Sequence, residues 1–227
     1  MTDRTVAAAW DEEYRRGRFL ADPPLPFVAE IVAAARLHGL ASAPGLYVGC
    51  GNGRNYLPLV ASGLDLLGLD VSPVAIAQLT HRAPARASRL ICGDGAALPP
   101  GVRYPIVVAL QVFQHGDEAT AHRAVLQAKE LVGPAGLFCV RVNAVGTELD
   151  HPHRVEERGA DGRFTVRYLG GPKEGLRVHF FSAEELEELI HGGFDPILPL
   201  RLDVAVRTPP RAGAWAQWEG IWRRRPT

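Results

Sequence analysis

The segment Gly49-Cys50-Gly51-Asn52-Gly53-Arg54-Asn55 sets three glycines directly after the short apolar run Gly45 to Val48. Glycines at such a corner permit a tight turn and let a ligand approach the backbone closely. Two acids stand in register with it: Asp70, seventeen residues beyond Gly53, and Asp94 within Gly93-Asp94-Gly95. An acid at the end of the second strand can accept hydrogen bonds from both ribose hydroxyls of an adenosine. A second acid after the third strand can accept from the exocyclic amine of adenine. Together they describe a slot for an adenosyl group with no demand for phosphate. No Gly-Lys-Ser or Gly-Lys-Thr follows, so the phosphate-loop motif is absent. The dinucleotide fingerprint is incomplete too, because its third glycine position holds Tyr56 in one register and Arg54 in the other. That disfavours a nicotinamide dinucleotide.

Two histidines are candidates for proton chemistry. His115 lies just past the fourth apolar run, where a crevice is expected, and His179 lies in a later hairpin. An imidazole titrates near neutral pH and can take a proton from a hydroxyl or thiol. Either residue can equally be a pocket-lining group without that role. His151-Pro152-His153 lacks a third ligand nearby, so no metal site is expected and the segment reads as a solvated loop. Trp10 and Tyr14 share a helical face. Trp215, Trp218 and Trp222 read as core or interface, and Glu184, Glu185, Glu187 and Glu188 as the solvated side of a helix.

The elements that position these residues follow from periodicity. Asp22-Pro23-Pro24 is a plausible helix start, with Phe27, Val28, Ile31, Val32 and Ala35 on one face and Gly39 closing it. Strand signals fall at Gly45 to Val48, Leu64 to Leu69, Arg89 to Cys92, Ile106 to Leu110 and Leu137 to Val142. Ser72-Pro73 opens one helix as N-cap and first residue, and a second runs between Asp117 and Val132, stopped by Gly133-Pro134. This alternation specifies a doubly wound α/β fold with a mostly parallel sheet and a ligand crevice at the strands' carboxyl ends. After Asn143 the rhythm changes. A hairpin pairs Arg163 to Tyr168 with Leu176 to Phe181, Ser182 and Glu185 form a capping box, and Ile197 to Val206 and Ala214 to Arg223 read as adjacent antiparallel strands.

With these residues in place, the chain resembles class I S-adenosylmethionine-dependent methyltransferases over roughly residues 10 to 143. The resemblance rests on Val48-Gly49-Cys50-Gly51-Asn52-Gly53, Asp70, Asp94 and Ala109-Leu110-Gln111-Val112-Phe113-Gln114-His115. The glycine turn looks like that of tellurite-resistance methyltransferases, and Trp10-Asp11-Glu12-Glu13-Tyr14-Arg15-Arg16-Gly17 like the opening of the thiopurine methyltransferase group. The resemblance implies a Rossmann-like fold with a seven-stranded sheet. It implies S-adenosylmethionine as cofactor, with contacts from Gly49, Cys50, Gly51, Gly53, Asp70, Val71, Asp94, Gly95 and Gln111, and with Trp10 and Tyr14 folded over the sulfonium. His115 and His179 are the catalytic candidates. One position departs from the family: Tyr47 stands where an acid usually precedes the turn by two residues.

The expected organisation is a single domain over residues 1–227: a helical lid (1–40), a cofactor-binding core (41–143), a cap or substrate loop (144–181) and a C-terminal helix with strands (182–227). The expected function is methyl transfer to a small-molecule acceptor, whether a thiol, a metalloid, or the hydroxyl or carboxyl of a metabolite or natural product. A nicotinamide-dependent oxidoreductase and a non-catalytic S-adenosylmethionine-binding partner protein are the alternatives. Twenty-five basic residues match twenty-five acidic ones, which disfavours nucleic acid as partner. The start, Met1 to Arg4 followed by Trp10-Asp11-Glu12-Glu13, has no apolar leader, and no stretch suits a membrane span. Cys50, Cys92 and Cys139 read as buried thiols of a reduced, cytoplasmic protein.

Overall fold

A computed structural model of the chain describes residues 5–209 and 212–226. The opening Met1 to Arg4, read above for an apolar leader, lies outside the described residues. The elements in order are α1 (Val6–Arg15), α2 (Phe27–Leu37), β1 (Gly45–Val48), α3 (Tyr56–Ala61), β2 (Leu66–Asp70), α4 (Pro73–Arg82), β3 (Leu90–Cys92), β4 (Tyr104–Leu110), α5 (Glu118–Glu130), β5 (Val132–Asn143), β6 (His153–Arg158), β7 (Phe164–Tyr168), β8 (Arg177–Phe180), α6 (Ala183–His191), β9 (Phe194–Val206) and β10 (Ala214–Arg224).

The main sheet has seven strands in the order β3-β2-β1-β4-β5-β10-β9. The first five are parallel, and β10 runs antiparallel to both β5 and β9. Helices cover both faces, which is why the central strands are apolar throughout: Ile106, Val107, Val108 and Ala109 of β4 are all fully buried. One face packs on α2 and α3 through Phe27, Ile31, Ala35 and Leu59; the other packs on α5 and α6 through Val125, Leu186 and Ile190. Each Ile, Leu or Phe so enclosed contributes about 1.5–3 kcal/mol relative to exposure. Side-chain caps start the helices: Ser72 Oγ accepts from Ala75 N at 3.0 Å, and Asp117 Oδ1 from Thr120 N at 2.9 Å. The Ser182–Glu185 capping box is present as expected.

The cap is a separate antiparallel sheet in the order β6-β7-β8. The β7–β8 hairpin matches the expectation, and β6 is an additional strand. It was illegible because His153-Arg154-Val155-Glu156-Glu157-Arg158 is mostly charged and largely exposed, as suits an edge strand. The first helix of the core starts at Phe27 rather than at Asp22, since a residue before proline is pushed out of the helical region. Nor does α2 belong to the lid; its apolar face lies in the core, leaving α1 over the crevice. Strand β5 begins at Val132 and passes through Gly133-Pro134, taking up the irregularity as a register shift against β4. Cys50 and Cys139 are buried, but Cys92 is exposed: it ends the three-residue strand at the edge of the sheet. No helix among the described residues is long and apolar enough to cross a membrane.

Candidate active site

A cavity of about 420 Å³ opens at the carboxyl ends of β1, β2 and β4, within the size range of small-molecule sites. The glycine turn forms its floor, and its backbone geometry admits little else. Gly49 has φ +71°, and a Cβ there would lie 2.7 Å from the Val112 side chain. Gly51 has φ +54°, and its Cβ would meet Tyr14 Oη at 2.6 Å. The loop after β4 and the helix α1 therefore close on the turn from two sides.

Asp70 ends β2 and is only 8% exposed. Its Oδ2 accepts from Gly51 N at 2.8 Å and its Oδ1 from Ser72 N at 2.9 Å. Burial pushes its carboxyl up from the usual range, and the two amide bonds oppose the rise without cancelling it. An ionised carboxylate has about four lone-pair sites, so each oxygen can accept a further bond from the cavity. Val71, Asp94 and Gly95 form the rim. Asp94 is exposed and caps its own turn, with Oδ1 accepting from Ala96 N at 3.0 Å.

Helix α1 is tied down at three points. Asp11 Oδ1 accepts from Ser72 Oγ at 2.5 Å and from Val74 N at 3.3 Å, adding an acid at the N-terminus of α4. Gln78 Nε2 donates to Tyr14 O at 2.8 Å, and Asn52 Nδ2 to Arg18 O at 2.9 Å. These ties set Trp10 and Tyr14 into the cavity wall, their rings 5.7 Å apart. Burial, with Asp70 nearby, pushes the Tyr14 hydroxyl well up, so it is a neutral group.

Gln111, just past β4, has φ +62°, a conformation that costs a non-glycine residue about 1 kcal/mol or more. It is held there by Gln111 N donating to Arg141 O at 2.7 Å and by Nε2 donating to Gln217 Oε1 at 3.0 Å. Arg141 in turn pairs with Glu219 and, at 2.7 Å, with Asp203. Tyr47 is almost fully buried, and burial drives its hydroxyl up, so an uncharged ring occupies the position where an acid was looked for. Two cations lie nearby: Arg18 and Arg54 face the cavity with their guanidinium carbons 4.9 and 5.5 Å from the Phe19 ring centroid.

A smaller chamber of about 50 Å³ adjoins the cavity, and Trp10, Arg18, His115, Lys173 and Trp215 line both. His115 stands at the junction, with its ring 5.4 Å from Trp10 in an edge-on arrangement. Both of its ring nitrogens are buried, and among the described residues the Gln111 backbone is the one polar group near enough to engage them. Burial, with Lys173 adding to it, pushes the imidazole down to about 3, so His115 is neutral at physiological pH.

Of the expected site residues, Trp10, Tyr14, Gly49, Cys50, Gly51, Asp70, Val71, Asp94, Gly95, Gln111 and His115 all line the cavity. Gly53 does not; it faces backwards, where a Cβ would meet Leu79 at 2.6 Å, and its role is packing. His179 is also elsewhere. It is fully buried under the cap, with Nδ1 2.8 Å from Thr165 Oγ1 and Nε2 3.0 Å from Glu185 Oε1. Tertiary pairing of β8 turned the histidine toward α6, which no local pattern could show. Glu185 itself, read as solvated, is buried through this bond and its cap. His122, His179 and Glu185 converge closely enough to ligate an ion. However, the His122 and His179 nitrogens contact the carboxylate directly, and Arg163 Nε lies 3.5 Å from the same oxygen. That arrangement is a self-satisfied hydrogen-bond cluster. The residues that sequence reasoning missed are Lys173, Arg18, Asp150 and Arg207, contributed by loops with no motif, and Trp215 at the start of β10.

Residues 46–138 match the family model described as methyltransferase domain. The ubiquinone biosynthesis O-methyltransferase of Azorhizobium caulinodans is 29% identical over 149 residues, covering 61% of this chain. The match spans 58% of that relative's length. A structure described as the conversion of a disulfide bond into a thioacetal group during echinomycin biosynthesis superposes with a TM-score of 0.64 at 18% identity, covering 97% of this chain and 92% of the other. The 1,6-didemethyltoxoflavin-N1-methyltransferase of Burkholderia thailandensis gives 0.62 at 19% identity, covering 96% and 88%. These likenesses establish a shared fold.

Proposed function

The chain carries an S-adenosylmethionine-dependent methyltransferase domain of the class I fold, and on that premise we propose that it methylates a small-molecule acceptor held where the main cavity meets the smaller chamber. The observation that carries this reading is the wall that the two spaces share. The main cavity offers the Asp70 carboxylate and the glycine turn, and His115, Lys173 and Trp215 line both it and the second space beside it.

The cavity suits the cofactor on chemical grounds. Asp70 presents two anchored oxygens to a ribose diol, Asp94 stands at the rim for an adenine amine, and Gly49 and Gly51 leave room for close approach. Arg18 and Arg54 are the cations available to a carboxylate, in place of an acid at Tyr47 for an amino group. Bound there, S-adenosylmethionine supplies an electrophilic methyl group. The protein's task is then to align an acceptor and exclude water, work that positioning alone accelerates substantially. Trp10 and Tyr14 supply an aromatic wall suited to a cationic sulfur.

His115 acts as a neutral hydrogen-bonding group that orients the acceptor. A base whose ionisation lies near 3 has little driving force at neutral pH. This favours acceptors that are nucleophilic without help, such as a thiolate, a metalloid anion or a carboxylate. The likeness to a ubiquinone biosynthesis O-methyltransferase and to a 1,6-didemethyltoxoflavin-N1-methyltransferase supports a small molecule as the acceptor class. The test is an acceptor screen on purified protein with radiolabelled cofactor: turnover on a small thiol or acid supports the reading, and labelling only of macromolecules overturns it.

A further inference from the structure

Lys173 lies in the loop between β7 and β8, on the boundary between the two chambers. Its Nζ is 4.9 Å from the Trp215 ring centroid and 5.6 Å from that of Tyr168, so two aromatic faces hold the ammonium. Among the described residues it makes no ion pair. The charges around it are otherwise balanced. Arg18 pairs with Glu13 at 3.8 Å, and Arg207 with Asp150 at 3.6 Å. Lys173 is therefore a third cation facing two carboxylates that already have partners. His115, neutral and with a ring nitrogen near the Gln111 backbone, stands beside it.

A surplus cation in a partly dry aromatic chamber is costly unless a ligand answers it. We propose that the boundary between the two chambers takes an acceptor bearing a single negative charge, a carboxylate or an ionised thiol or phenol, with Lys173 as its counter-ion; the smaller chamber receives the charged group and the main cavity the flat apolar body that carries it. The proposal rests on the methyl-transfer reading and names the acceptor class for that site. The flat body follows from the walls: the rings of Trp10 and Trp215 line both spaces, and those of Tyr168 and Phe180 line the smaller one. Arg54, which lines the main cavity and not the smaller chamber, remains for the cofactor's own carboxylate.

The experiment uses full-length protein saturated with S-adenosylhomocysteine, titrated with 2-naphthoate and with 2-naphthamide, which differ by one charge. The expected result is binding of naphthoate about ten-fold or more tighter than naphthamide. Lys173→Met should abolish the preference and Lys173→Arg retain it, both with unchanged affinity for S-adenosylhomocysteine. Equal affinity of the two probes in the wild type, or a preference that survives Lys173→Met, would overturn the proposal. Loss of S-adenosylhomocysteine binding in Lys173→Met would also overturn it, assigning Lys173 to the cofactor's carboxylate. Failure of the wild type to bind S-adenosylhomocysteine at all would instead overturn the methyl-transfer reading.

Discussion

The amide of Gly51 donates to Asp70 Oδ2 at 2.8 Å, joining the glycine turn after β1 to the acid that ends β2. The bond spans nineteen positions of sequence and fixes the carboxylate beside Gly51, whose backbone carries no side chain. Ser72 N holds the other oxygen. Asp70 thus belongs both to the turn's architecture and to the cavity's chemistry, and the two roles must be separated experimentally.

Gly51→Ala tests the close approach of α1. Its Cβ would collide with Tyr14 Oη, and φ +54° is strained for alanine. A stability loss of about 1–3 kcal/mol is expected. Combining it with Tyr14→Phe should recover only the part due to collision. Thermal denaturation of the three proteins checks this; a wild-type melting point for Gly51→Ala would contradict it.

The neutral state of His115 predicts a rate profile without a histidine limb. With the imidazole pushed down to about 3, its ionisation lies outside the range from pH 5 to 8. His115→Gln should slow methyl transfer about 10- to 100-fold by loss of positioning while leaving the shape of the profile unchanged. A wild-type limb near pH 6.5 that vanishes in the variant would show instead that His115 works as a base.

Lys173 predicts a pH limit on anion binding. Burial, then Arg18, pushes its ammonium down to about 8, with Asp150 and Glu13 opposing and Arg207 assisting. His115 and His151 also face the chamber. The 2-naphthoate affinity should hold steady to about pH 7.5 and fall above 8 as the ammonium loses its proton, unlike that of 2-naphthamide. A lowered lysine value also means that the folded state disfavours the charge. Lys173→Met should therefore cost no stability at pH 7.

Glu156 ties the cap sheet together, accepting from Arg154 at 2.7 Å, Arg167 at 3.0 Å and Arg177 at 2.7 Å. Bonds from Arg177 and Arg154 hold its carboxyl at about 2, below the ordinary 4.5. Its contribution is fully present above about pH 4.5 and is lost as pH falls through about 2. After solvent screening it is worth roughly 1 kcal/mol. Glu156→Gln should raise amide exchange in residues 153–180 at pH 7 and leave exchange in the main sheet unchanged.

Much of this was legible in the sequence because the relevant signals are local. Gly49 to Gly53, Asp70 and the apolar runs declare strands, turn and slot within short windows, and the Ser182–Glu185 box declares a helix start. The residues that missed their assigned place owe their position to pairing across the chain. His179 is turned from the cavity by Thr165 and Glu185, Gly53 by Leu79, and β6 carries too much charge to show its period. The smaller chamber was the least legible, since Trp10, Lys173, Arg207 and Trp215 meet only when four separate segments fold together.

The adenosyl slot is tested most directly by calorimetric titration of wild type, Asp94→Ala and Asp70→Asn with S-adenosylhomocysteine, using NADH as the control ligand. Asp94 is exposed and supports only its own turn, so its variant isolates ligand contact from folding. The account predicts saturable one-to-one binding by the wild type, weakened about ten-fold in Asp94→Ala and further in Asp70→Asn, with no response to NADH. Folded wild-type protein that ignores S-adenosylhomocysteine, or that binds NADH in its place, would contradict it.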